Sequence, residues 1–246
     1  AELVRQARDM GSVGIAYTYN EPLIGIEYVL DCAKLAREAG LVNVLVTNGY
    51  IQPAPAADLL PFIDAANVDL KSMGDAFYRK HCGGALAPVQ QFILQAVRGG
   101  VHVELTNLVI PGLNSDPALF EALADWIASG PGAATPLHLS AYRPEYKLDV
   151  PATPARTLEE AYRICAAKLR FVYTGNLRTA VGRDTHCPGC GAVLIARSGF
   201  SARVTGLTPA NACSACGRPL EVRRWQPPPT GVSVLQPAPT ENGTDA

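Results

Sequence analysis

The hydrophobic residues fall into short runs that alternate with stretches of helical spacing. Val13 to Tyr17 is an apolar run typical of a buried strand. After Pro22 the apolar residues recur every three or four positions, which predicts an amphipathic helix that ends at Gly40. The same alternation continues along the chain. It predicts strands at 13–17, 42–46, 67–70, 101–109, 137–140 and 171–174.

Helix-start signals lie between these strands. Pro55 and Pro88 predict the starts of two helices, because proline suits the first helical turn. Asp116 is followed by a proline and is predicted to be a helix N-cap. Thr157 and Glu160 have the spacing of a capping box and predict a helix to about residue 168. Strands alternating with such helices indicate βα units, so we expect an α/β fold with six parallel strands in an open or partial barrel.

The sequence changes character after Gly182, where two Cys-x-x-Cys pairs follow, each with a glycine directly after it. Glycine suits the knuckle turns that place two thiolates on one metal, and a module this small needs such a staple to fold. Two unrelated thiol pairs or a redox dithiol are the alternatives. We predict a structural site for zinc, or for iron in the same cage, with four ligands: Cys187, Cys190, Cys213 and Cys216.

These patterns divide the chain into three parts. Residues 1–180 are expected to form the barrel, and residues 181–225 the four-cysteine zinc ribbon. Residues 226–246 are rich in proline, glycine, threonine and serine and have little to bury, so a disordered tail is expected there.

Composition narrows the classes of function. The 246 residues are 48% hydrophobic and 17% charged, with a net charge of -1, which is typical of a globular protein. The sequence has no basic stripe for nucleic acid and no apolar run approaching the roughly 20 residues that span a bilayer. Seven cysteines in a chain without a secretion leader indicate intracellular metal chemistry, so we expect a cytoplasmic protein.

Polar motifs stand where the predicted strands end. If the strands are parallel, these ends meet at one mouth, where ligands bind in α/β folds. Glu21 is either an acidic residue at a helix N-terminus or a group that binds an ammonium or acts as a base. Asp69 and Lys71 point to the same side of a strand end and form either a simple salt bridge or a pair of ligand contacts.

The four histidines are not grouped in the sequence. His81 lies on a predicted helix, His102 and His138 lie within predicted strands, and His186 precedes a cysteine. Each on its own is interpreted as structural rather than as a ligand.

Several longer motifs carry a resemblance to a known family. They are Gly-Ile-Ala-Tyr-Thr-Tyr-Asn-Glu-Pro at 14–22, Ala-Lys-Leu-Ala-Arg-Glu-Ala-Gly at 33–40, Val-Leu-Val-Thr-Asn-Gly-Tyr-Ile at 44–51, Asn-Val-Asp-Leu-Lys at 67–71 and Thr-Asn-Leu-Val-Ile-Pro-Gly-Leu-Asn at 106–114. These stretches closely resemble the AmmeMemoRadiSam-system radical SAM enzymes, relatives of pyruvate formate-lyase activating enzyme. The resemblance extends over about residues 1–225 and includes both cysteine pairs.

The resemblance implies a partial (βα)6 TIM-like barrel that holds a [4Fe–4S] cluster and S-adenosylmethionine (SAM). Reductive cleavage of SAM would give methionine and a 5′-deoxyadenosyl radical that abstracts hydrogen from a substrate, an unidentified protein or small molecule. By position, Tyr19, Asn20, Glu21 and Pro22 would receive the methionine amino group. The carboxylate and ribose side would be lined by Thr47, Asn48, Gly49, Asp69 and Lys71. The adenine side would be lined by Ile110, Ser140 and Tyr142, and Asn107 would also belong to the SAM site.

One departure from the family bears on activity. The Cys-x3-Cys-x2-Cys loop that holds the cluster follows the first barrel strand, and both would precede position 1 of this sequence. Cys32, Cys82 and Cys165 are scattered and do not replace the loop. We therefore expect a fragment that lacks its first strand, with cluster ligands outside this chain, inactive by itself.

Two alternatives remain open at this point. One is a barrel that binds SAM or a partner without catalysis and uses the ribbon as an interaction module. The other is an aldolase-like barrel with Lys71 as a Schiff-base amine, which requires a neutral lysine. Asp69 beside Lys71 argues against a neutral amine.

Overall fold

The computed structural model describes residues 1–199 and 201–220. Six strands form one sheet in chain order: β1 (Gly14–Tyr17), β2 (Val42–Thr47), β3 (Ala65–Asp69), β4 (His102–Val109), β5 (Leu137–Ala141) and β6 (Val172–Gly175). Every neighbouring pair is parallel, so each connection returns the chain to the same end of the sheet. The predicted six-stranded α/β sheet is confirmed. Among the described strands the sheet stays open, with β1 and β6 at its edges.

Seven α-helices accompany the strands: α1 (Glu2–Asp9), α2 (Ile26–Glu38), α3 (Pro53–Leu59), α4 (Asp75–Phe77), α5 (Leu86–Arg98), α6 (Pro117–Ile127) and α7 (Ala155–Ala166). A 3-10 turn, Pro22–Gly25, leads into α2. The helices share one hydrophobic core with one face of the sheet, in which Leu105 of β4 and Ile93 of α5 are fully buried. This apolar burial, at roughly 25 cal/mol per Å², holds the strand ends in a fixed relation.

Two helices begin earlier than their prolines predict. α3 begins at Pro53 rather than Pro55, and α5 begins at Leu86 rather than Pro88. Pro55 and Pro88 still lie in the first turn, where a backbone N–H has no partner to lose. The start of α5 is capped by Asp75, whose Oδ1 accepts a hydrogen bond from the Leu86 N–H at 3.0 Å. A cap from 11 residues away is invisible to a local sequence pattern.

The capping box predicted at Thr157 and Glu160 is wrong. α7 begins at Ala155 with Pro154 as its N-cap, and no side chain caps it. Both residues therefore lie inside the helix. The ring of Pro154 fixes its φ at -67°, which leads the chain directly into helical conformation.

The four cysteine ligands predicted for the metal lie around a second, antiparallel sheet of three strands: β7 (Thr185–His186), β8 (Val193–Ser198) and β9 (Ser201–Val204). Its core contains few buried residues: Cys187, Leu194, Cys213 and Leu220. The boundary predicted at residue 180 stays a prediction, and the tail predicted at 226–246 lies outside the described residues. In the described part of the chain, no helix is long and apolar enough to cross a membrane.

The sheet face opposite the helices carries polar side chains, and we call it the inner face. On β4 the residues alternate, so that Leu105 enters the helical core while Glu104 and Thr106 lie on the inner face. The Glu104 carboxylate accepts hydrogen bonds from Nε2 of His102 at 3.2 Å and from Nε2 of His138 at 2.6 Å. We call His102, Glu104 and His138 the floor triad. The interior of a closed barrel is filled by branched apolar residues. The charged and polar floor triad, whose side chains are about one-third exposed, therefore indicates that this inner face is partly solvated.

The floor triad makes stability depend on pH. Burial alone would raise the pKa of Glu104, but the hydrogen bonds from His102 and His138 outweigh it and hold that pKa at about 2, below the ordinary 4.5. A lowered pKa stabilises the fold above about pH 4.5, and this contribution is lost as the pH falls towards 2. Because the Glu104 side chain is 36% exposed, solvent screening reduces the effect to about 1 kcal/mol.

We therefore expect Glu104→Gln to lower the free energy of unfolding by about 1 kcal/mol at pH 7 and by less than half of that at pH 3. Urea unfolding of both proteins, with chelator present so that metal loss contributes equally, measures the difference. An equal loss at both pH values would contradict this assignment.

Candidate functional site

Glu21 joins the carboxyl ends of β1 and β2. Its Oε1 accepts hydrogen bonds from the Leu23 N–H at 3.1 Å and from the Thr47 hydroxyl at 2.5 Å. Its Oε2 accepts one from the Asn48 N–H at 2.7 Å. A carboxylate has about four acceptor positions, so one position, on Oε2, has no partner among the described residues. Glu21 is therefore the N-cap of the 3-10 turn and also a fixed acceptor for a further donor.

The turn after β2 holds this carboxylate in place. Thr47 Oγ1 accepts a hydrogen bond from the Gly49 N–H at 3.0 Å, and Asn48 Oδ1 accepts one from the Tyr50 N–H at 2.8 Å. Gly49 has a φ of +67°, and a Cβ atom there would lie 2.9 Å from a methyl group of Val68. Both conditions require glycine. The turn therefore packs closely against Val68 of β3, and the backbone of residues 47–49 lies at the mouth.

Asp69 and Lys71 form the pair predicted at the end of β3. Lys71 Nζ lies 2.8 Å from Asp69 Oδ2, and both side chains are about one-third exposed, at 35% and 40%. Lys71 Nζ is therefore engaged by a carboxylate, which does not suit the Schiff-base role of an aldolase-like barrel. The pair presents one positive and one negative group to the mouth.

Three supporting residues fix the backbone around this ion pair. The buried Tyr78 hydroxyl accepts a hydrogen bond from the Lys71 N–H at 3.0 Å. Asn107 Nδ2 donates to the Leu70 carbonyl at 2.8 Å, and Asn114 Nδ2 donates to the Lys71 carbonyl at 2.6 Å. Burial raises the pKa of Tyr78 to about 12, so its hydroxyl stays protonated. The role of Tyr78 was not apparent from the sequence, because it depends on a contact across seven residues.

Asn107 belongs to the support of the mouth. It is 2% exposed and lies on the helix-facing side of β4, next to the core residues Leu105 and Val109 in the alternation of the strand. Its Oδ1 is buried and has no hydrogen-bond partner among the described residues. The Asn107 amide therefore binds the Leu70 carbonyl from the helix-facing side of the sheet, and the side chain does not itself line the mouth.

Asn114 carries the largest share of this support. Its Oδ1 accepts a hydrogen bond from the Ile110 N–H at 2.6 Å, and its Nδ2 also donates to the Leu108 carbonyl at 2.8 Å. We expect Asn114→Ala to lower the free energy of unfolding by about 2–4 kcal/mol, because one buried and two part-buried backbone groups lose their partner. Urea unfolding measures the change, with the exposed Gln91→Ala on α5 as control. A loss no larger than that of the control would contradict the support role.

The ends of β4 and β5 supply an apolar side to the mouth. Phe77, Ile110 and Tyr142 form a separate buried cluster there. Tyr142 is 6% exposed, and its hydroxyl donates to the Leu148 carbonyl at 2.5 Å. Beside it lies an open depression of about 580 Å³, lined by Leu108, Ala141, Tyr142, Arg143, Glu145 and Asn176. Ligand pockets span about 300–1,000 Å³, so the space suits an aromatic base.

The remaining predicted residues lie around this mouth. Ser140, near the end of β5, is half-buried. Its hydroxyl lies beside Gly175 of β6, 3.5 Å from where a Cβ atom on that glycine would stand. Pro22 is buried and starts the 3-10 turn behind Glu21. Tyr19 and Asn20 are exposed, Tyr19 at 91%. The structure therefore brings the Glu21, Thr47 and Asp69 motifs together at adjacent strand ends, while Tyr19 and Asn20 stand at the rim.

The four ribbon cysteines converge on one point. Cys187 and Cys216 have their sulfur atoms 3.7 Å apart, and so have Cys190 and Cys213. A tetrahedron with metal–sulfur bonds of about 2.3 Å has edges of about 3.8 Å. All four sulfur atoms lie within 4.8 Å of one another. The predicted metal-ligand set is confirmed as a cluster that fits a zinc ribbon.

The backbone favours thiolates at this centre. The Gly189 N–H donates to Cys187 Sγ at 3.4 Å and lowers the pKa of that thiol. Over the described residues, the four ribbon cysteines are the only group of histidine, cysteine and acidic side chains arranged to hold a metal ion. Cys32 and Cys165 are buried singly in the core, and Cys82 is exposed elsewhere.

Three curated proteins are similar in sequence. MJ0808 of Methanocaldococcus jannaschii, described as uncharacterized, is 40% identical over 226 residues, which are 90% of this chain and 66% of that protein. The (2S)-3-sulfopropanediol dehydratase activating enzyme of Klebsiella oxytoca is 24% identical over 46% of this chain and 36% of its own length. The pyruvate formate-lyase-activating enzyme of Clostridium pasteurianum is 24% identical over 48% of this chain and 50% of its own length. The chain therefore spans about one-third to two-thirds of these relatives.

Solved structures share the fold. A domain of a pyruvate-formate lyase-activating enzyme from Bacteroides vulgatus superposes with a TM-score of 0.58 at 18% identity, over 66% of this chain and 99% of that one. A radical SAM methyltransferase from Sphaerobacter thermophilus gives a TM-score of 0.50 at 18% identity, over 71% of this chain and 54% of that one. No protein-family model matches the chain. The chain is a homologue of the pyruvate formate-lyase-activating enzymes and has the partial-barrel fold of radical SAM enzymes.

Proposed function

We propose that this chain is the SAM-holding part of a radical SAM enzyme of the activase type, in the AmmeMemoRadiSam group. The observation that carries the proposal is the Glu21 carboxylate at the strand ends, which is held by three hydrogen bonds and keeps one acceptor position without a partner among the described residues. An α-ammonium group is the donor that such a position suits best. The homology to two activating enzymes supports the same assignment.

The charges around Glu21 match the remaining parts of SAM. Lys71 offers an ammonium to the methionine carboxylate, and Asp69 offers acceptors to the ribose hydroxyls. The aromatic ring and the apolar walls at Tyr142 and Ile110 suit the adenine base. Bound beside a reduced cluster, SAM would supply a 5′-deoxyadenosyl radical for hydrogen abstraction. The residues of this chain bind and orient it.

The cluster itself finds no ligand set among these residues. The three cysteines outside the ribbon are separated in sequence, and none of them belongs to a group of three or more metal-binding side chains in the described structure. We propose that the cluster ligands belong to a part of the protein outside this sequence. The substrate of hydrogen abstraction is proposed by analogy with the activating enzymes to be a partner protein.

Anaerobic reconstitution of the full-length protein with iron and sulfide tests the proposal. With SAM and dithionite it should form 5′-deoxyadenosine and methionine, both measured by mass spectrometry. Asp69→Asn should lower the rate by about tenfold or more, since a charge-assisted hydrogen bond contributes about 1.5–3 kcal/mol. Asp58→Asn, an exposed position on α3, should leave it unchanged. Absence of 5′-deoxyadenosine from a protein that contains its cluster would refute the proposal.

A further inference from the structure

A second cavity lies at the opposite end of the sheet from the mouth. It has a volume of about 210 Å³ and lies between the first residues of β4, β5 and β6 and the ribbon strands β7 and β8. We call it the floor cavity. At about 30 Å³ per water molecule it has room for roughly seven waters or for one small organic molecule. The proposed SAM site uses none of its residues.

The ribbon wall of the floor cavity presents a fixed guanidinium group. The guanidinium carbon of Arg197 lies 4.8 Å from the centre of the Tyr173 ring, and its Nη1 donates to the Thr185 hydroxyl at 2.7 Å. The Thr185 oxygen is 2.9 Å from the Tyr173 hydroxyl, so the three side chains form one unit. These contacts hold one face of the guanidinium against the Tyr173 ring and fix one of its nitrogens, Nη1, on Thr185.

The other edge of this guanidinium has no acidic partner. In the described structure no carboxylate lies within 4.0 Å of the Arg197 side-chain nitrogens, and Nε and Nη2 make no hydrogen bond. The guanidinium is planar and its donors point in fixed directions, so this edge suits a carboxylate or phosphate in two-point contact. The half-buried Arg197 is therefore held through Nη1 and keeps two donors, Nε and Nη2, for an anion.

The opposite wall of the floor cavity, formed by the sheet, has its acidic group already hydrogen-bonded within the wall. Both oxygens of Glu104 accept hydrogen bonds from the histidines of the floor triad, and the His138 ring stacks on Tyr173 with centroids 5.2 Å apart. These two imidazole donors reduce, without removing, the negative charge that Glu104 presents to the cavity it lines. Phe171 and Ile195 add apolar surface to the lining.

We propose that the floor cavity binds a small organic acid, with its carboxylate on the free edge of Arg197 and its hydrocarbon part against Phe171 and Ile195. The apolar lining favours an organic acid over inorganic phosphate, which would leave that surface without contacts. The ligand would bridge the sheet and the ribbon. The inference does not depend on the proposed SAM chemistry.

Amide chemical shifts measured in titrations with butyrate and with inorganic phosphate, at constant ionic strength, test this. Butyrate should shift the signals of Arg197 and Thr185 in a saturable way and bind more tightly than phosphate. Arg197→Gln should weaken butyrate binding by about tenfold or more, because a charged hydrogen bond is lost. Arg203→Gln, which removes an exposed arginine from the neighbouring ribbon strand, should not change it.

Glu104→Gln gives a second test that leaves the ribbon intact. Removing the negative charge from the opposite wall should strengthen butyrate binding by about threefold. Unchanged butyrate affinity in Arg197→Gln, an equal loss in Arg203→Gln, tighter binding of phosphate than of butyrate, or weaker binding in Glu104→Gln would overturn the proposal. SAM titrations of the same variants separate this outcome from a failure of the SAM site.

Discussion

Glu21→Gln is expected to weaken SAM binding by at least about tenfold. The amide keeps the size of the side chain but loses the negative charge that attracts an ammonium group. Its NH2 group would also face one of the three donors that Glu21 now satisfies: the Leu23 N–H, the Thr47 hydroxyl or the Asn48 N–H. A charge-assisted hydrogen bond contributes about 1.5–3 kcal/mol, and 1.4 kcal/mol is a factor of ten in affinity. Equilibrium dialysis with labelled SAM measures the loss.

Two further variants separate charge from local structure. Glu27→Gln removes an exposed carboxylate from the first turn of α2, six residues after Glu21, and should bind SAM as the parent chain does. Thr47→Val removes one hydrogen bond to Glu21 but keeps the charge, so a smaller loss is expected. If Glu21→Gln binds SAM with unchanged affinity, Glu21 does not receive the amino group.

Cys216→Ser is expected to remove the metal from the ribbon and to unfold it. Structural zinc contributes about 10–16 kcal/mol in small zinc modules, so one ligand in four corresponds to roughly 3 kcal/mol, or a little over a hundred-fold in metal affinity. Over the described residues, the ribbon core contains two buried apolar side chains besides its cysteines, Leu194 and Leu220. Such a core cannot hold the fold without the metal.

Metal content by mass spectrometry and competition with a chromogenic chelator measure this loss and also identify zinc or iron. Cys82→Ser, which removes an exposed cysteine outside the ribbon, should keep full metal content. The amide signals of the six-stranded sheet should persist in Cys216→Ser, because that sheet has its own core. Retention of metal by Cys216→Ser would contradict the four-cysteine site.

The strands and their polar ends were largely predictable from the sequence. Apolar runs bounded by glycine and proline located all six strands to within about two residues, because buried parallel strands are nearly continuous in hydrophobicity. The interpretation of Glu21 as an acidic residue at a helix start is confirmed, since its Oε1 caps the 3-10 turn. Its binding of an ammonium group stays a prediction. The salt bridge between Asp69 and Lys71 is confirmed.

The supports and the floor cavity were not predictable in the same way. Tyr78 reaches the Lys71 backbone through a buried contact that no periodicity records. His102 and His138 each look structural in sequence, and only the register between β4 and β5 brings both onto Glu104. Arg197 meets Tyr173 because the ribbon packs against the sheet, a contact that no local pattern contains. Each of these depends on long-range pairing.

The central claim is that the strand-end mouth around Glu21 holds SAM, and a titration of the isotope-labelled chain with SAM tests it directly. The account predicts saturable shifts of the Leu23, Asn48 and Lys71 amides, since all three lie at the carboxylate and ion pair of the mouth. The Arg203 amide on the ribbon should not move. Shifts confined to the ribbon or the floor cavity, or no shift at the three mouth amides with SAM in large excess, would contradict it.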